Sequence, residues 1–329
     1  MDRRSFLGAL IGGLLAAPRA VQAQAVPKRW RIGLLYEGAA PLSGEVTGFS
    51  ALREALRELG YVESREYLLD LRFAEGRPER LPELAEELTR LPVDVLITGS
   101  TPSALAAMHA TRTIPIVAIG VADPVSSGLA RGFDRPGGNV TGTALALDEV
   151  SHKWLELLKV VRAGSSRVAV LHDSTNAGMR TMFGPLQESA RALAVTLTFH
   201  DFTPGSEAIS VFDAMAKTQP HGLVVLPGAL FWDHRKLIFE QAVRVRLPTV
   251  CAFEGYTVAG GLMSYGPNTW EMTRKAAIYV DKIFKGARPA DLAIERPSTF
   301  RRVINLKTAK ALGVTISPSL LQRADQVIE

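Results

Sequence analysis

Polar and aromatic residues able to meet a ligand gather in a few short stretches, each following an apolar, β-branched run. Tyr36 and Glu37 open the first of these turns. Ser100, Thr101 and Ser103 lie in Thr98-Gly99-Ser100-Thr101-Pro102-Ser103, where hydroxyls and the free N–H groups of a helix start suit a carboxylate. Thr101 followed by Pro102 also reads as a helix cap with proline at the first helical position. Asp123, in Gly120-Val121-Ala122-Asp123-Pro124, suits a ligand ammonium group, and Asp before Pro equally forms a turn. Asn176 closes His172-Asp173-Ser174-Thr175-Asn176, Trp232 closes Pro227-Gly228-Ala229-Leu230-Phe231-Trp232, and Phe253 and Tyr256 bracket Phe253-Glu254-Gly255-Tyr256. Aromatic rings in such loops stack on aromatic or apolar ligands. Phe231 and Phe253 suit interior packing, so Trp232 and Tyr256 are the stronger contact candidates.

Other chemistries lack their signatures. The first turn is Tyr36-Glu37-Gly38-Ala39-Ala40 and not a dinucleotide fingerprint, and the chain contains no Walker A sequence and no nucleophile elbow. Its six histidines show no metal-ligand spacing, and Cys251 stands alone, which excludes an intramolecular disulfide and a cysteine-based zinc site. A nucleophilic role for Ser100 would need a base that the sequence does not supply. No bound cofactor is implied. The net charge of +5, from 38 Lys+Arg and 33 Asp+Glu, includes no basic run able to track a phosphate backbone, so nucleic acid is not an expected partner.

The elements that must position these turns alternate along the chain. Trp30–Tyr36, Tyr67–Phe73, Asp94–Thr98 and Ile114–Gly120 read as strands, separated by helical patterns such as Thr47–Leu59 and Pro82–Leu91. This rhythm implies a parallel sheet with helices on both faces. Arg135-Pro136-Gly137-Gly138-Asn139 breaks the pattern, and a second alternating set runs from Val150 to Phe253. At 329 residues the chain is too long for one comfortable core. The expected class is therefore α/β with two lobes. After Gly260-Gly261 come a short strand, a long helix Thr269–Phe284 and two more extended pieces, too little for a third lobe. These must return to the existing lobes through several crossings.

Met1–Ala25 has the three parts of an export signal, with Arg3 and Arg4 ahead of an apolar stretch Phe6–Ala17 and a cleavage site after Ala23. Pro18 and Arg19 end the apolar run short of a membrane span. Arg3-Arg4-Ser5-Phe6-Leu7 resembles the twin-arginine motif, which implies a bacterial periplasm. Cleavage would remove three Arg and one Asp, lowering the net charge from +5 to +3.

Several strings taken in order resemble the exported substrate-binding proteins of ABC transporters in the tryptophan/tyrosine-type group. They include Leu56-Arg57-Glu58-Leu59-Gly60-Tyr61-Val62-Glu63, Ala74-Glu75-Gly76-Arg77, Asp123-Pro124-Val125, Arg135-Pro136-Gly137-Gly138-Asn139-Val140-Thr141-Gly142 and Gly261-Leu262-Met263-Ser264-Tyr265-Gly266-Pro267-Asn268. The resemblance implies a type I periplasmic binding protein: two Rossmann-like lobes with parallel sheets, joined by three crossovers and closing on a small ligand. Residues 27–143 plus 255–284 would form the first lobe and 144–254 plus 285–329 the second. The implied ligand is an amino acid or an aromatic analogue, and the implied partner is an ABC permease. Trp232-Asp233 departs from the family pattern, so ligand identity does not carry across. Two rival readings are a ligand sensor for a membrane receptor and a periplasmic hydrolase or racemase using Ser100 and Asp123.

Overall fold

The computed structural model describes residues 28–41, 48–203 and 206–329. The expected export signal, with Arg3, Arg4 and Ala23, lies outside them.

The first alternating set is β1 (Trp30–Tyr36), α1 (Gly48–Glu58), β2 (Tyr67–Phe73), α2 (Leu81–Arg90), β3 (Val95–Thr98), α3 (Thr101–Ala110), β4 (Ile116–Val121) and β5 (Val140–Ala144). Each helix covers the sheet with one apolar stripe. In α1 the buried residues are Ala51, Leu52, Ala55 and Leu56, spaced for a single helical face. All four residues of β3 are buried, as expected of a central parallel strand covered on both sides.

The second set is α4 (Leu147–Val161), β6 (Arg167–His172), α5 (Ala177–Ala192), β7 (Thr196–Asp201), α6 (Ala208–Lys217), β8 (Gly222–Val225), α7 (Ala229–Asp233), α8 (Arg235–Arg244), β9 (Thr249–Cys251), α9 (Glu254–Val258) and β10 (Met263–Pro267). Then come α10 (Thr269–Phe284), β11 (Ile294–Glu295), β12 (Phe300–Asn305), α11 (Leu306–Leu312), α12 (Pro318–Leu321) and β13 (Gln326–Ile328). The stretches holding Trp232 and Tyr256, expected as loops, contain the short helices α7 and α9.

Among the described residues the strands form two sheets, ordered β11-β5-β4-β3-β1-β2 and β13-β12-β10-β9-β8-β6-β7. All pairings are parallel except β10 with β12. The chain passes between the sheets three times: from β5 to α4, from β10 to α10, and from β11 to β12. Helix α10 packs against the first lobe, where Phe284 stacks on Trp30 at 4.2 Å and Tyr61 donates to Asp281 at 2.8 Å.

Two pieces lie across the expected lobe boundaries. The first, α9 with β10, was expected in the first lobe, yet β10 pairs with β9 and β12 in the second sheet and α9 packs against β10 and β12. β11 was expected in the second, yet it pairs with β5, with Ile294 opposite Gly142. A two-residue strand carries no readable periodicity; buried Ile294 is held by its neighbours in space.

Candidate functional site

The C-terminal ends of both sheets face each other across a cleft of about 930 Å³. Open α/β sheets bind ligands at such ends because strand carbonyls give way there to helix N-termini with unsatisfied N–H groups. Tyr36, Ser100, Thr101, Asn176, Trp232, Phe253 and Tyr256 all line it.

The polar pole is built from the starts of α3 and α5. Ser100 is extended, and its Oγ accepts from the Ser103 N–H while the Ser103 Oγ accepts from the Ser100 N–H, a reciprocal cap. The expected cap, Thr101, is instead the first helical residue, and its Oγ1 accepts from the Ala122 N–H at 3.0 Å. Ser103 is fully buried behind the cleft wall. On the second lobe the Asn176 Oδ1 caps α5 through the Gly178 N–H at 3.0 Å, and its Nδ2 lies beside Gly228 on the wall. The two helix starts meet: a Cβ on Gly178 would stand 2.9 Å from the Thr101 Cβ. Glycine there lets the lobes close.

The aromatic walls come from both lobes. Tyr36 stands edge-on to Phe49 at 5.4 Å. Opposite, Trp232 lies 5.8 Å from Tyr256, and the Arg235 guanidinium covers its ring at 4.4 Å while donating to its carbonyl. A Cβ on Gly255 would fall 2.5 Å from the Trp232 ring, so the ring's position depends on that glycine. Tyr256 is 1% exposed, and its hydroxyl donates to the Gly228 carbonyl at 3.0 Å. Its function at the wall is therefore to hold the β8–α7 turn. Phe253, a contact candidate that also suits packing, is half-buried on the wall, while Phe231 is in the core.

Glu37 is placed differently. It is 3% exposed, its Oε2 has no hydrogen-bond partner, and it does not line the cleft. Burial pushes its carboxyl up to about 7, opposed by the Ser100 hydroxyl and reinforced by Asp173 and Asp233. Burial likewise raises the Tyr36 phenol, with the same Asp233 adding to it.

Residues 43–328 match the family of ABC transporter substrate binding proteins. The chain belongs to that family. It is 25% identical over 263 residues to a tyrosine-binding protein of Clostridioides difficile (strain R20291), covering 79% of this chain and 75% of that one. A conserved domain protein from Vibrio cholerae superposes with a TM-score of 0.83 at 25% identity, over 91% of this chain and all of the other. A Streptococcus pneumoniae ABC domain in complex with L-Trp gives 0.82 at 22% identity, over 92% and 100%. The fold is that of type I periplasmic binding proteins.

In this substrate-binding protein Asp123 stays outside the main cleft. Its carboxylate accepts from the N–H groups of Val125 and Ser126 and from the Ser126 hydroxyl, closing its own turn. It borders a separate cavity of about 250 Å³ shared with Phe133 and Arg296. Reasoning from sequence also passed over Phe49, Trp270 and Asp233, all on the cleft wall. Phe49 reads as one more apolar position of α1. Asp233 stands out only as a departure from the family pattern, and its use appears across the lobes: Oδ2 accepts from the Ala39 N–H at 2.9 Å. Among the described residues, no group of three or more His, Cys, Asp or Glu side chains is arranged to hold a metal ion.

Proposed function

We propose that this protein is the exported ligand carrier of an ABC importer and that its cleft takes a free aromatic amino acid. The observation that supports it most is the pairing of aromatic walls from both lobes with one polar pole. Tyr36 and Phe49 face Trp232 and Phe253, and Ser100, Thr101 and Asn176 gather at two helix starts. A flat ring gains contact from both lobes only when they close, and helix N-termini favour the carboxylate end. The relatives known to hold tyrosine and tryptophan agree with this ligand class.

Carriage fits the site better than turnover. A hydrolase or racemase would need Ser100 and Asp123 together, and they face different cavities. The Ser100 hydroxyl is also engaged in its cap. On this reading the closed lobes dock on a permease, and the paired Arg3 and Arg4 address the folded chain to the periplasm. Calorimetry with the twenty amino acids tests the ligand class: binding confined to tryptophan, tyrosine or phenylalanine supports it, and preference for an aliphatic or acidic one refutes it. Exchange of Arg3 and Arg4 for Lys should leave the precursor in the cytoplasm, and undiminished periplasmic protein would refute twin-arginine export.

A further inference from the structure

Asp233 places a carboxylate on the cleft wall. Asp233 ends α7 on the second lobe and reaches the first, where its Oδ2 accepts from the Ala39 N–H at 2.9 Å. No hydrogen bond or ion pair engages Oδ1 among the described residues, and the side chain is half-buried, so water compensates its charge only in part. The other described carboxylate lining the cleft, Glu254, is neutralised by Arg301 at 2.6 Å. Arg235, two residues after Asp233, lies over Trp232 and donates to its carbonyl, and it and His234 offset part of the Asp233 charge through space without removing it. Asp173 is buried behind the wall, and it and Asp233 both act on the buried Glu37 carboxyl, so negative charge gathers in this corner. Asp123, the other acid that could meet a cation, borders a different cavity.

We propose that Asp233 receives the ligand's ammonium group on Oδ1 while Oδ2 holds the Ala39 loop. One side chain would then select an amino acid over its deaminated analogue and fasten the first lobe across it. The proposal rests on the aromatic amino-acid reading of the cleft. An ammonium bound there makes a charge-assisted hydrogen bond away from bulk water, whereas a ligand without one closes the lobes over an unpaired carboxylate.

The test uses the purified chain and four probes: L-tryptophan, L-tyrosine, and indole-3-propionate and 3-(4-hydroxyphenyl)propionate, which lack only the ammonium group. Wild type is expected to prefer the amino acids by about tenfold to hundredfold. Asp233→Asn keeps the size and an oxygen for Ala39, and is expected to shrink that preference to about threefold or less. Asp233→Glu retains the charge and should retain the preference. Asp233→Ala also removes the tie to Ala39, so all probes that bind should weaken. Circular dichroism confirms that each variant is folded before titration. An unchanged preference in Asp233→Asn, or equal affinity of wild type for the deaminated probes, overturns the role of Asp233 and leaves the ligand class standing. Binding of none of the four probes by wild type removes the aromatic amino-acid reading and this proposal with it.

Discussion

Replacing Glu37 by Gln should make the protein more stable at alkaline pH and leave it little changed near pH 4.5. Glu37 is 3% exposed, one of its oxygens has no partner, and burial lifts its carboxyl from 4.5 to about 7. In the unfolded chain the group titrates near the ordinary value. The native state therefore holds a proton that the unfolded state gives up between about pH 4.5 and 7, and stability falls as pH rises through that window. That displacement corresponds to roughly 3 kcal/mol, fully expressed above pH 7 and absent below about 4.5. Gln keeps the shape and a group for the Ser100 hydroxyl but never ionises. At pH 8 the variant should melt roughly 5 °C above wild type, the difference vanishing toward pH 4.5. Thermal unfolding of both proteins from pH 4.5 to 8.5 measures this, because titrations elsewhere cancel in the difference. A difference that does not change with pH, or a variant less stable than wild type at pH 8, would refute the buried-carboxyl argument.

Gly255→Ala places a Cβ where the Trp232 ring lies, so ligand affinity should drop at least about tenfold while melting changes little; near-normal affinity would show that the ring adapts. Ser100→Ala removes the reciprocal cap of α3 and should destabilise the protein by about 1 kcal/mol in denaturant titration as well as weaken binding. Loss of affinity without loss of stability would mean that Ser100 acts on the ligand alone. Asp123→Ala opens a three-bond turn and should lower stability by about 1 kcal/mol with ligand affinity changed less than about twofold. A tenfold affinity loss there would return Asp123 to the site.

Much of the architecture is legible in the sequence because periodicity is local. The apolar run in Trp30–Tyr36 marks a strand covered on both faces, and the one-sided stripe of Leu52 and Leu56 marks a helix covered on one, whatever covers them. The same rhythm places Tyr36, Ser100, Asn176 and Trp232 at strand ends, and a parallel sheet brings those ends to one side. Periodicity does not report what an element is buried against. The strand at Met263 and the two residues at Ile294 join sheets that only pairing across the fold assigns. Ser100 and Thr101 are both good caps by composition, and the backbone of Ser100 together with the Ala122 N–H decides between them. Asp123 and Asp233 are alike as side chains. Tertiary structure closes the first into its own turn and brings the second to Ala39, 194 residues away, because only the meeting of two lobes creates that contact.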